Sequence, residues 1–231
     1  MFSRRTFVGA AAVLAATGTA QAQDACMVIS KDAQTAATPD AAIAALKAGN
    51  ERFVAGKSVN CDLMSQVKAS ATGQYPVAAV VGCIDSRVPP ELVFDQKLGA
   101  IFAARVAGNF VNTDILGSLE FACKLAGAKA IVVLGHTDCG AIKGAVDQAK
   151  LGNLTEMLKN FDPAVAAAKT DGERTSKNKK LVQEVADQNA KLTAQLILAR
   201  SSVLKEMADK KQIAVVAAMH DLTTGKVTFF S

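Results

Sequence analysis

Two short segments of the sequence carry residue types that bind a metal and move protons. Cys83, Asp85 and Arg87 occupy alternate positions in one segment, and His136 and Cys139 stand three apart in the other. The chain contains only two histidines and five cysteines, so a site built on three histidines of one chain is excluded. Two thiolates and one imidazole, by contrast, form a tetrahedral zinc site with an open fourth position. Thiolate ligands also favour zinc over magnesium or calcium.

The fourth metal position depends on Asp85 and Arg87. Alternation along an extended segment places these two side chains on the same side. Asp85 is near enough in sequence to Cys83 to act either as a fourth ligand or as the partner of a water on the metal. If Arg87 holds Asp85, the fourth position stays free for water.

The other cysteines and the second histidine are expected to be structural. An isolated cysteine usually behaves as a small buried hydrophobe, and we expect this of Cys123, which lies in an apolar helical segment. Cys26 and Cys61 fit no metal spacing, and sequence alone does not decide whether they pair in an oxidising compartment. His220 follows the last predicted parallel strand, where a structural role is expected.

Alternating strands and helices must bring the two metal-binding segments together. Each segment follows a continuous apolar run typical of a buried parallel strand, and ligands in open α/β sheets bind at the carboxyl ends of such strands. The pattern predicts an α/β fold with a small, mostly parallel sheet flanked by helices. The strands are expected at 77–83, 101–106, 130–135 and 213–219, with a short edge strand at 226–230. The helices are expected at 39–56, 114–125, 155–168 and 179–210 (the last as one or two helices), with irregular stretches at 57–70 and 170–180.

The first 22 residues have the composition of an export signal. Arg4 and Arg5 precede a short apolar run and an A-x-A-like cleavage site, and the run is too short to span a membrane. Paired arginines followed by Thr-Phe are typical of a twin-arginine signal, with an ordinary secretory signal as the alternative. We therefore expect 1–22 to be removed, 23–38 to be a linker, and 39–231 to form one catalytic domain in the periplasm or otherwise outside the cytoplasm.

The charge of the chain gives no reason to expect nucleic acid or anionic lipid as a partner. The formal net charge is +5. It falls to +3 without the first 22 residues, which contain two arginines and no acids. Such a small excess does not indicate polyanion binding. No later apolar stretch reaches the roughly 18 residues that a membrane span needs, so no span is expected in the mature chain.

Four blocks of the sequence resemble the β-class carbonic anhydrases. They read CIDSRVPPE at 83–91, RVAGN at 105–109, GSLEF at 117–121 and VLGHTDCG at 133–140, in the order of that family. The resemblance extends from about residue 40 to the C-terminus. It implies reversible hydration of CO2 to bicarbonate and a proton, with one Zn²⁺ per subunit on Cys83, His136 and Cys139 and a catalytic dyad of Asp85 and Arg87. It also implies a homodimer or homotetramer, with an N-terminal helical arm that embraces a second subunit.

The resemblance is to the plant-like subgroup of that family. A glutamine nine residues before the first cysteine ligand hydrogen-bonds substrate in this subgroup, and Gln74 stands at that position. The substrate-binding positions that the resemblance assigns are Gln74, Phe102, Ala107, Phe121 and the backbone N–H of Gly140.

A different subgroup, inhibited by bicarbonate, is disfavoured. Its effector pocket uses a tryptophan at the position of Val80, and this chain contains no tryptophan. We therefore expect an open site of the Gln74 type, with Asp85 as a fourth ligand only in a closed state. Two other functions stay open at this point. One is action on another cumulated substrate, such as carbon disulfide, and the other is an inert zinc-holding dimer. The dyad and Gln74 argue against the inert dimer.

Overall fold

A five-stranded sheet forms the centre of the molecule. The computed structural model describes residues 26–230, so the predicted export signal lies outside the described residues. The strands are β1 (Ala78–Gly82), β2 (Ile101–Arg105), β3 (Ala130–His136), β4 (Ala214–His220) and β5 (Val227–Phe229). Their order is β2-β1-β3-β4-β5, and only β5 is antiparallel to its neighbour. The predicted α/β fold with a small, mostly parallel sheet is confirmed.

Helices cover both faces of this sheet. They are α1 (Lys31–Ala36), α2 (Pro39–Val54), α3 (Leu63–Ser70), α4 (Pro90–Val93), α5 (Thr113–Glu120), α6 (Gly140–Val146), α7 (Gly152–Leu158), α8 (Asp162–Ala167), α9 (Lys179–Arg200) and α10 (Ser202–Asp209). A π-helical turn, Phe121–Leu125, extends α5, and a 3₁₀ turn, Lys159–Phe161, joins α7 to α8. Within residues 26–230, none of the helices has both the length and the apolar character that crossing a membrane requires.

The central strand β3 shows why a parallel strand in the middle of the sheet has a continuous run of apolar residues. All seven of its residues are buried. Ile131 and Val133 pack in a core with residues of α5, α9 and α10, while Val132 and Leu134 pack in a second core with Leu46 of α2. A parallel strand covered on both faces needs apolar residues at every position, not at alternate ones.

Two helical regions differ from the sequence-based expectation. The irregular stretch at 57–70 contains α3, which begins where the Asp62 side chain accepts hydrogen bonds from two backbone N–H groups. Its apolar side chains, including Leu63 and Met64, are exposed, so no buried stripe announced it. The predicted helix at 155–168 is divided before Pro163, which lacks a backbone donor. The region 179–210, expected as one or two helices, forms two, with Ser201 capping the second.

The segment before α2, predicted as a linker, carries a docked helix. In α1, the buried Gln34 donates hydrogen bonds to the backbone oxygens of Pro76 (2.6 Å) and Ala126 (2.7 Å). Gly127 has a φ of +84°, and a Cβ there would lie 3.0 Å from the Gln34 oxygen. A disulfide joins Cys26 to residue 61. Residues 26–38 are therefore attached to the domain twice, by the hydrogen bonds of Gln34 and by the disulfide.

Candidate active site

Three potential metal ligands meet at the carboxyl ends of β1 and β3. Cys83 directly follows β1, His136 ends β3, and Cys139 immediately precedes α6. One ligand atom from each lies within 4.8 Å of the others, and all three residues are buried. We call these three side chains the metal cluster. The parallel pairing of β1 with β3 brings these two distant segments to one edge of the sheet.

The imidazole of His136 is prepared to bind a cation. Its Nδ1 lies 2.9 Å from the backbone oxygen of Thr137. A carbonyl oxygen only accepts hydrogen bonds, so this contact places the ring proton on Nδ1 and leaves a lone pair on Nε2. Nε2 is buried and has no hydrogen-bond partner within residues 26–230. Buried polar atoms are rarely left unpaired, and with two thiols nearby this donor set fits zinc.

The thiol pair stabilises negative charge on one sulfur. Cys83 Sγ accepts hydrogen bonds from the backbone N–H groups of Gly108 (3.2 Å) and Asp85 (3.4 Å). The pKa of Cys83 is lowered, chiefly by a hydrogen bond from the Cys139 thiol and further by these N–H groups, against the opposing effect of burial. The pKa of Cys139 is raised, because its thiol donates a hydrogen bond to Cys83 and is buried. A cation at this position would replace the shared proton.

Gly108 and Asn189 support the site, and sequence reasoning assigned neither a role. Gly108 has a φ of +81°, and a Cβ there would lie 2.4 Å from Phe161. Its carbonyl accepts a 2.8 Å hydrogen bond from the buried Asn189 side chain of α9. The N–H that faces Cys83 is thus fixed by a distant helix. An asparagine on the mostly apolar, buried stripe of α9 was the available signal for this contact.

Arg87 holds Asp85 at the edge of the metal cluster. Arg87 Nε and Nη2 donate to the two carboxylate oxygens at 2.9 and 2.7 Å, and the Arg87 backbone N–H adds a bond of 3.0 Å. These bonds keep the pKa of Asp85 well below its ordinary value, with burial opposing them. Asp85 Oδ2 lies 3.9 Å from His136 Nε2. Arg105 fixes the loop by donating to the backbone oxygens of Cys83 (2.8 Å) and Asp85 (2.7 Å).

The predicted substrate-binding residues fall into two groups. Gly140 follows Cys139 directly, and Ala107 precedes the glycine that contacts Cys83, so both lie beside the cluster. Gln74, in contrast, precedes β1 and lies next to Gly99, at the opposite end of the sheet.

Phe102 and Phe121 belong with Gln74 and not with the cluster. Their rings meet edge to face, with centroids 6.3 Å apart. Phe102 pairs with Ala79 near the start of β1, four residues and therefore roughly 13 Å before Cys83 along the strand. The two phenylalanines and Gln74 do not join the metal cluster of their own chain.

The remaining predicted structural residues are buried. His220 ends β4 as the backbone partner of His136 and is 3% exposed, with neither ring nitrogen paired within residues 26–230. Cys123 is also 3% exposed, and burial raises its pKa to about 12. Such a thiol is a poor ligand and a poor nucleophile.

Comparison with known proteins identifies the family. Residues 78–227 match the family model described as carbonic anhydrase. Carbonic anhydrase 2 of Mycobacterium tuberculosis is 36% identical over 194 residues, which cover 81% of this chain and 91% of that protein. A tetrameric β-carbonic anhydrase of Sordaria macrospora superimposes with a TM-score of 0.62 at 26% identity, over 70% of this chain and 83% of the other. The chain belongs to the β-class carbonic anhydrases.

Other relatives agree with this assignment. The carbonic anhydrase of Mycolicibacterium smegmatis is 34% identical over 195 residues, 82% of this chain and 92% of that protein. A β-carbonic anhydrase of Aspergillus fumigatus shares the fold, with a TM-score of 0.64 at 23% identity over 82% of this chain and 90% of the other. As a carbonic anhydrase, the protein is an enzyme that interconverts CO2 and bicarbonate, and the predicted function and enzyme class are confirmed.

Proposed function

We propose that this carbonic anhydrase holds one Zn²⁺ per subunit on Cys83, His136 and Cys139. The observation that carries the proposal is the buried, unpaired Nε2 of His136 beside two thiols. When bound, the ion supplies a Lewis acid that lowers the pKa of water from about 15.7 towards about 7. The cluster is buried, which favours the strong electrostatic interactions that such chemistry needs.

Asp85 and Arg87 orient the nucleophile. Arg87 binds both carboxylate oxygens, so Asp85 stays ionised and can accept the hydrogen of the attacking O–H group. This hydrogen bond aims the oxygen lone pair at the carbon of CO2. The N–H of Gly140, at the start of α6, is free to donate to a substrate oxygen. The methyl group of Ala107 contributes an apolar wall suited to a small apolar substrate.

A second subunit completes the site, in the arrangement of the plant-like subgroup. Gln74 and Phe121 are exposed, and Phe102 lies on β2, one of the two edge strands of the sheet. A partner docked along this edge would add these residues to the metal cluster of the first subunit. The tetrameric neighbour from Sordaria macrospora supports a homodimer or a homotetramer built from such dimers.

The mature enzyme acts outside the cytoplasm, in the periplasm or another exported location. Arg4 and Arg5 in the export-type segment support this proposal, and so does the Cys26–Cys61 disulfide, because such bonds persist in oxidising compartments. Loading zinc in the cytoplasm before folded export would protect the ligand thiols. Cell fractionation with mass spectrometry tests this location, and an uncleaved cytoplasmic chain would contradict it.

Metal analysis combined with rapid CO2 hydration tests the catalytic proposal. The wild type is expected to contain one zinc per subunit and to accelerate proton release from CO2 above pH 8. Cys83→Ala should lose both the metal and the activity, whereas the matched control Cys123→Ala should keep both. Zinc retained at full occupancy by Cys83→Ala would refute the ligand assignment. Absence of acceleration by the zinc-loaded wild type would refute the reaction, and carbon disulfide in the same assay tests the alternative substrate.

A further inference from the structure

A cavity of about 450 Å³ opens beside the active site. Thr137 and Asp138, from the loop between two metal-cluster residues, form one wall together with Arg87. The start of α9 forms a second wall with Lys179, and the turn after β4 supplies Thr223. The cavity is therefore assembled from separate parts of the chain and shares Arg87 with the catalytic dyad.

The side chains around this cavity carry an excess of positive charge. Arg87, Lys143 and Lys179 line it, against the single carboxylate of Asp138. Lys143 forms an ion pair with Asp138, and Arg87 binds Asp85. Lys179 has no carboxylate within ion-pairing distance among residues 26–230. It is also the first residue of α9, a helix of 22 residues whose N-terminus adds positive potential.

We propose that this cavity binds a small oxyanion of the bicarbonate or phosphate type, held between Lys179 and Lys143. The charge excess attracts anions and repels cations. Bicarbonate is the product of the established reaction, and phosphate is a common buffer anion that can take up the proton released with it. The position beside Arg87 places either anion next to the catalytic dyad without contact with the metal cluster.

Asp138 sets the affinity of this site because it competes with the anion for Lys143. Its φ of +57° lies in the left-handed region, which asparagine also adopts readily. Replacing Asp138 with asparagine therefore removes the competing charge while keeping the backbone. The proposal makes two opposite predictions: anion binding weakens when Lys179 is reversed in charge and strengthens in Asp138→Asn.

Amide NMR of the zinc-loaded enzyme tests the site. Phosphate or bicarbonate is added at constant ionic strength in a buffer without oxyanions, and shifts are followed at the amides of residues 176, 179 and 223. These shifts should reach saturation with each anion, and the anion that binds with the higher affinity is the physiological ligand. Lys179→Glu should weaken binding by about tenfold or more, the effect of losing a charge-assisted hydrogen bond, and Asp138→Asn should tighten it.

Lys180→Glu is the matched control, because Lys180 has the same charge and neighbours Lys179 but does not line the cavity. It should change the affinity by less than about twofold, since exposed charges away from the site are screened by salt. An anion on the metal cluster would instead shift Gly108 and Gly140 and would persist in Lys179→Glu. Equal weakening by both lysine variants, or no saturable shift at the cavity, would overturn the proposal.

Discussion

Asp85 lies between the Arg87 guanidinium and the His136 imidazole, and it is held by the guanidinium. Arg87 holds the carboxylate through three hydrogen bonds, whereas the distance to His136 Nε2 is 3.9 Å. The pKa of Asp85 is lowered from 3.8, so the stabilising effect of this ion pair is fully present above about pH 4 and is lost only as the pH falls further. Any loss of activity between pH 8 and pH 5 must therefore come from another group.

Replacing Asp85 with asparagine should separate catalysis from metal binding. The amide keeps the size of the side chain but loses the ion pair with Arg87 and presents a donor where an acceptor is needed. We expect the CO2 hydration rate to fall by about a hundredfold or more, with zinc content unchanged by elemental analysis. Asp171→Asn, an exposed loop acid, is the control and should retain the wild-type rate. An unchanged rate in Asp85→Asn would show that the carboxylate does not orient the nucleophile.

At the scale of elements, the Cys26–Cys61 disulfide ties the N-terminal segment to the chain beyond α2. The bond encloses α1 and α2 in a loop with a sequence separation of 35 residues. Gln34 of α1 attaches the same segment without a covalent bond. Its side chain donates to the backbone oxygens of Pro76, before β1, and Ala126, after the π-helical turn. The two attachments together hold the N-terminal segment to the rest of the domain.

Removal of this disulfide should destabilise the protein without stopping catalysis. Closing a loop of this length stabilises the folded state by about 3–4 kcal/mol in the chain-entropy view. For the Cys26→Ser/Cys61→Ser variant we expect a melting temperature roughly 6–16 °C below the wild type by calorimetry, with the zinc content and the hydration rate retained. Reductant should lower the wild-type value and leave the variant unchanged. Equal melting temperatures would mean that the bond contributes nothing to stability.

The elements that sequence predicted well were those with a strong burial pattern. All five predicted strands are present, and β1 and β3, which are buried at every position, lead into the motifs that predicted the metal cluster. Helix α3 escaped prediction because its apolar side chains are exposed and supply no pattern. The supporting contact between Gly108 and Asn189 also escaped, since 81 residues separate the two and only the folded chain brings them together.

At the scale of the whole molecule, the residues assigned to one active site lie at two ends of one sheet. The metal cluster follows β1 and β3, while Gln74, Phe102 and Phe121 belong to the opposite end, at the β2 edge. A folded sheet cannot bring its two ends together. In the dimer proposed above, the glutamine and the phenylalanines therefore serve the metal cluster of the second subunit, and a complete site needs two subunits.

Subunit complementation tests this arrangement directly. Gln74→Ala and Asp85→Asn should each lower activity as homo-oligomers, by about tenfold or more for the glutamine. When the two variants are co-expressed, a mixed dimer pairs the intact Gln74 of one subunit with the intact Asp85 of the other, so one of its two sites is complete. Random pairing makes half of the dimers mixed, and the hydration rate should recover to about a quarter of the wild type. The control is the double variant co-expressed with either single variant, which can form no complete site. If Gln74 acted on the metal cluster of its own chain, the mixed dimers would contain no complete site, and the activity would stay at the mean of the two parents.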